Sequence, residues 1–123
     1  MSRIILLLLL LTGCSTSNFS IDQRQNNFLN LNKDKFKGNV YSINDYDIFS
    51  VKKIKNNKRL TVYIEGDGLA WLDRFTPSNN PTPNNPIAFM LALEDKNDNI
   101  IYLARPCQYL TSNRCKKDIW TSL

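Results

Sequence analysis

Two short segments hold the residues best placed to do chemistry. Glu65-Gly66-Asp67-Gly68 ends one apolar run, and Arg105-Pro106-Cys107-Gln108-Tyr109 ends another. Two glycines around an aspartate let the backbone turn sharply and leave its N–H groups free to point at a ligand. Ser78, Ser112 and Ser122 are available as hydroxyls. A serine becomes a nucleophile only when a base takes its proton, and in most such sites the base is an imidazole. The 123 residues contain no histidine. They cannot complete a Ser-His-Asp reaction by themselves, and no serine is assigned a catalytic role. Cys107 and Cys115, with seven residues between them and no histidine to help, cannot make a four-ligand zinc centre. Neither a metal nor a cofactor is expected.

The elements around these segments read as an α/β arrangement. Val40–Ile43 and Ile48–Ile54 alternate like strands across the turn-prone Asn44-Asp45-Tyr46-Asp47, which predicts an antiparallel hairpin. Leu60–Ile64 is a nearly continuous β-branched and aromatic run, suited to a strand covered on both faces. A long Asn- and Pro-rich loop leads to Asn85, a good N-cap, and to Pro86, pre-shaped for the first position of a helix over Ile87–Glu94. Ile100–Ala104 is a second buried strand. Strand, loop, helix and strand make a βαβ unit, whose ligands sit beyond the carboxyl ends of the strands. That places the two chemistry-bearing segments on one rim. In the long loop, Trp71 and Phe75 suit an apolar wall, and packing is an equal reading for Trp71. A nucleotide-binding βαβ unit would want a tight glycine-rich turn into the helix, which the Asn/Pro loop replaces.

The start of the chain reads as an address. Arg3 precedes the apolar run Ile4–Leu11, far short of the roughly 20 residues that span a membrane. Leu11-Thr12-Gly13-Cys14 then resembles a bacterial lipobox, which implies a signal peptide over 1–13 and acylation of Cys14. An ordinary signal peptide that happens to contain a cysteine is the other reading. Ser15 after the cysteine points to the outer membrane. The expectation is an exported protein held in the cell envelope by a lipid on Cys14. Residues 14–35, rich in Ser, Asn, Gln and charge, read as a flexible tether with at most one weak helical turn. With Cys14 acylated, Cys107 and Cys115 are an even pair in an oxidising space, and a disulfide between them is expected. The net charge of +5 is mild, and its densest cluster, Lys52 to Arg59, adjoins a turn, so a solvated strand end is expected rather than a nucleic-acid site.

Three stretches carry a resemblance: Tyr63 to Gly68, the loop ending in Pro81-Thr82-Pro83 and Pro86, and Tyr102 to Tyr109. In this order they resemble the opening of the α/β-hydrolase fold and, more narrowly, a group of bacterial α/β-hydrolase-type lipoproteins, over roughly Lys35 to Leu123. The resemblance implies the N-terminal portion of such a sheet, a hairpin followed by the βαβ unit, incomplete within 36–123. It implies that Gly66, Asp67 and Gly68 form the first half of an oxyanion hole, with the Asp67 N–H as donor and Gly66 permitting the turn. A plain strand-ending turn is the competing reading of the same residues. One such donor is worth roughly 3–4 kcal/mol of transition-state stabilisation. The family's Gly-x-Ser-x-Gly elbow and its later acid and histidine are missing. In the family, the strand matching Leu60–Ile64 also pairs with the nucleophile-bearing strand, so a bare apolar edge is expected. The reading is a truncated or split esterase-type serine-hydrolase lipoprotein, inactive alone and open to a second polypeptide that supplies the missing strands. The alternative is a non-enzymatic envelope lipoprotein with a binding or structural role.

Overall fold

The computed structural model describes residues 21–121. The signal-peptide reading, Cys14 and Ser122 lie outside the described residues. The elements run α1 (Ile21–Asn32), β1 (Lys37–Ile43), β2 (Tyr46–Lys53), β3 (Thr61–Ile64), α2 (Ile87–Glu94), β4 (Ile100–Leu103) and α3 (Asp118–Thr121). The strands form one mixed sheet in the order β1-β2-β4-β3. Among the described residues no helix is long and apolar enough to cross a membrane.

The hairpin forms where the alternation placed it, with Ile43 opposite Tyr46 and only Asn44 and Asp45 between them. Asn44 takes a φ of 52°, a left-handed conformation that asparagine tolerates better than most residues. β2 pairs antiparallel with β4, Val51 opposite Tyr102, and β4 pairs parallel with β3, Tyr102 opposite Tyr63. The parallel pair needs a crossover, and α2 supplies it.

The core lies on one face of this sheet. Phe28, Phe36, Val51, Phe89, Ala92, Ile100 and Tyr102 are its buried centre. Phe28 is the hub: its ring stacks on Phe89 at 4.1 Å and meets Tyr109, Phe49 and Tyr102 at 4.7, 5.3 and 5.6 Å.

That position corrects the tether expected over 14–35 for its described residues, 21–35. Residues 21–32 are a helix whose Phe28 is only 1% exposed. Polar side chains on the helix also reach inward. The Arg24 guanidinium donates to the carbonyls of Asn80 and Thr82 at 3.1 and 2.7 Å, and Gln25 donates to the Tyr109 carbonyl at 2.7 Å. Asn32 closes the helix by exchanging two 3.0 Å bonds with the backbone of Phe36. The segment looked like a linker because one phenylalanine and several long-range hydrogen bonds fix it, rather than an apolar stripe.

The cover expected on both faces of Leu60–Ile64 is also corrected. β3 is an edge strand, Val62 and Ile64 share its uncovered face, and Ile64 is 65% exposed. Truncating Phe28 should therefore cost far more than a tether residue would. Phe28→Ala is expected to lower the unfolding free energy by about 3–5 kcal/mol, read from denaturant melts against the parent chain.

Candidate functional site

The rim begins with Glu65, which continues β3 inward. Its backbone N–H still bonds the Leu103 carbonyl of β4 at 2.9 Å, and the residue is 6% exposed. Glu65 Oε1 accepts the N–H of Gly66 at 3.1 Å and that of Ala88, in the first turn of α2, at 3.3 Å. Glu65 Oε2 accepts the Tyr102 hydroxyl at 3.1 Å. Burial, reinforced by Tyr109 and Glu65, pushes the Tyr102 phenol well above its ordinary value, which keeps it a neutral donor. α2 has Pro86 at its cap position with no side-chain hydrogen bond of its own. The cap expected from Asn85 is thus supplied from across the βαβ unit by Glu65, a buried carboxylate at the positive end of the helix.

Beyond Glu65 the chain turns outward. Gly68 takes a φ of +61°, and a Cβ there would collide with the Pro81 carbonyl and approach Gln108 Nε2 to 2.8 Å. Gly66 has open space around it and no such φ. The turn expected of Gly66 therefore belongs to Gly68. The Leu69 N–H fastens the loop to the Pro81 carbonyl at 3.0 Å. Among the described residues no acceptor takes the N–H groups of Asp67 and Gly68. Two neighbouring backbone donors are thus left at the carboxyl end of β3.

The second segment lies beside the first, as the βαβ reading required. Gln108 is fully buried; its Nε2 donates to the carbonyls of Gly66 at 2.9 Å and Pro81 at 3.3 Å, and its Oε1 accepts the Arg105 N–H at 3.0 Å. Arg105 pairs with the Asp67 carboxylate at 3.1 Å, in the open. Cys107 and Cys115 are joined in a disulfide, their Cα atoms 5.3 Å apart. Cys107 and Tyr109 both hold left-handed backbone, with φ of 68° and 61°. Such conformations cost of order 1–3 kcal/mol each and persist where the surroundings fix them. Here the disulfide, the Gln108 side chain and a 2.8 Å bond from the Tyr109 N–H to Thr82 Oγ1 do so.

Ser78 is buried and donates to the Asn80 carbonyl at 2.9 Å, and Ser112 donates to Asp47 Oδ2 at 3.0 Å. Phe75 is 81% exposed beside Arg74, whereas Trp71 lines a cleft with Asp67 and Arg105. Among the described residues no group of three His, Cys, Asp or Glu side chains could hold a metal ion. Glu65 and Gln108 lie in the two segments singled out, but their bonding roles escaped the sequence reading because their partners are distant in the chain. The available signal was a carboxylate ending an apolar run, which reads equally as a solvated strand end. Comparison with protein-family models, with curated proteins and with solved structures found no match to this chain.

Two outcomes test the rim. Gly68→Ala is expected to cost more than about 1–2 kcal/mol and to displace the loop, whereas Gly66→Ala is expected to stay within about 0.5 kcal/mol. Melting curves of the two variants decide it, and equal costs would be inconsistent with the assignment to Gly68. The C-terminal segment is tied down through Asp47. Hydrogen bonds from Ser42 and Ser112, then the Arg114 guanidinium, hold its carboxyl below the ordinary 3.8. The tie is fully present above that value and is lost as the pH falls through the lower folded-state value. In a Trp71→Phe background, Trp120 fluorescence should change below pH 3.8, and Asp47→Asn should show the acid-like signal already at neutral pH.

Proposed function

We propose that this chain is the oxyanion-binding part of a serine-hydrolase-like, esterase-type lipoprotein, whose nucleophile and base come from polypeptide outside residues 1–123. The observation that carries this reading is the pair of unpartnered N–H groups at Asp67 and Gly68, held at the carboxyl end of an edge strand. Such donors act on an oxyanion without reorganising, because the Gly68 turn and Gln108 already fix the loop. The chain itself can orient a carbonyl and stabilise the charge that develops on it. It has no histidine to take a proton from a serine.

The surface around β3 supports the same reading. α2 is apolar nearly all round, Ile-Ala-Phe-Met-Leu-Ala-Leu-Glu, yet it buries only Phe89 and Ala92. Ile87 and Leu91 are each 58% exposed and, with Gly66 and Gly68, line an apolar groove of about 580 Å³. A helix apolar on all sides is normally covered on all sides. In this reading the bare edge of β3 would receive the nucleophile strand, and the groove would receive a following helix. A lipid on Cys14 would hold the assembly at the envelope membrane.

The test begins with the DNA beyond codon 123, translated in all three frames. The reading expects a Gly-x-Ser-x-Gly segment followed by an acid and a histidine. It further expects no hydrolysis of p-nitrophenyl acetate above background by the 123-residue chain, and hydrolysis when that segment is co-expressed. Absence of such a segment, or co-expression without hydrolysis, leaves a non-enzymatic envelope lipoprotein that binds rather than cleaves.

A further inference from the structure

Lys58 and Arg59 stand just before β3 and Asp67 just after it, and all three are exposed. Arg59 makes no ion pair among the described residues. The strand therefore has a basic beginning and an acidic end. Asp67 already meets Arg105, but both side chains stay more than half exposed, which leaves the carboxylate open to a second cation. Half of the strand's backbone is also unused. The Thr61 N–H bonds the Asn99 carbonyl at 3.0 Å and the Glu65 N–H bonds the Leu103 carbonyl at 2.9 Å, both toward β4. The residues between alternate with these, so Val62 and Ile64 turn their N–H and C=O groups to the open edge.

A second copy of the same strand fits this edge. Laid antiparallel with Tyr63 opposite Tyr63, it sets Val62 of each copy against Ile64 of the other. Residues opposed in this way exchange both backbone bonds, so every outward N–H and C=O of β3 finds a partner. The apolar pairs lie together on the uncovered sheet face. Continued beyond the strand, the same register sets Arg59 opposite Asp67 at both ends. The helices agree with this arrangement. α2 packs on β3 and β4 together, so it lies about half a strand spacing inward of β3. The two-fold axis lies half a spacing outward, and strands are about 4.8 Å apart. The two copies of α2 then run about 10 Å apart, an ordinary distance for packed helices. Ile87 and Leu91, each 58% exposed beside the end of β3, gain one another to pack against.

We infer that the 123-residue chain pairs with a second copy of itself through β3, as a closed two-fold dimer whose two sheets become one. One patch serves both copies, so the pairing leaves no bare β3 edge to recruit a third chain. The inference does not rest on the hydrolase reading. It states what occupies the edge when the polypeptide proposed to carry the nucleophile strand is absent, and that polypeptide would compete with the second copy for the same backbone groups.

The symmetry makes the test direct. Sedimentation equilibrium of the 123-residue chain is expected to give twice the chain mass in the micromolar range. Arg59→Asp and Asp67→Arg change exposed side chains and each sets like charges opposite one another. Each alone is expected to weaken self-association at least about tenfold. Mixed in equal amounts, the two variants meet with opposite charges at both ends, and a dimer with one chain of each is expected to form near the parent's affinity. Val62→Lys gives the edge the charge that exposed edge strands usually carry, and is expected to leave a monomer. A parent chain that stays monomeric throughout the micromolar range, or that forms open-ended assemblies, would overturn the inference. So would a dimer indifferent to both charge changes, or no recovery on mixing. A dimer without hydrolysis on co-expression would keep the pairing and remove the hydrolase reading; hydrolysis by a chain that is monomeric alone would do the reverse.

Discussion

Glu65 is the residue on which the geometry of the rim depends. Its carboxylate joins three elements at one point: the end of β3, the first turn of α2 and the Tyr102 hydroxyl of β4. A carboxylate taken out of water is costly unless its oxygens are bonded, and here both are. The same bonds relieve α2, whose first turn has no cap from its own sequence neighbours. The strand must therefore end where Glu65 sits, and the loop must leave the core at Gly66. Everything exposed at the rim, the free N–H groups and the Asp67–Arg105 pair included, inherits its direction from that buried contact.

A small sheet has one covered face and two edges to manage, and this one manages them unequally. Rings from α1, α2 and β4 fill the covered face around Phe28. The β3 edge receives none of the usual protections: no bulge, proline or charge stands among Thr61, Val62, Tyr63 and Ile64. The exposed side chains of Val62, Ile64, Ile87 and Leu91 lie around that edge and the adjoining groove. Scattered apolar residues on a surface need no explanation, but an edge strand and a helix flank bared together do. Of the nearby lysines, Lys55 pairs with Asp98 and Lys53 lies over Phe36.

What the sequence revealed follows from how local each signal is. The hairpin, the helix over 87–94 and the strand over 100–103 rest on patterns a few residues long, and all three form within a residue or three of the expected bounds. The disulfide was expected from an even pair of cysteines together with the reading of the chain as exported. The mixed α/β sheet was legible from the element order, whereas assignment to a hydrolase sheet needs strands that these residues do not contain. α1 was hidden because its stability is tertiary: Arg24 bonds residues 56 and 58 positions away, and Phe28 is the one buried apolar side chain among those described in it. The mistaken cover on β3 has a similar origin. A run of β-branched residues records what a strand prefers beside it, and only the fold shows what is there.

The two sides of the Asp67 loop offer different chemistries because different elements back them. On the α2 side the groove is lined chiefly by apolar groups, open and suited to another part of a protein. On the α3 side Tyr46, Trp71 and Trp120 give aromatic walls beside the Asp67–Arg105 ion pair. The Asp67 and Gly68 amides stand between them. The donors are already in place, and in the hydrolase reading proposed above such dipoles would cost no reorganisation when charge develops on a bound carbonyl.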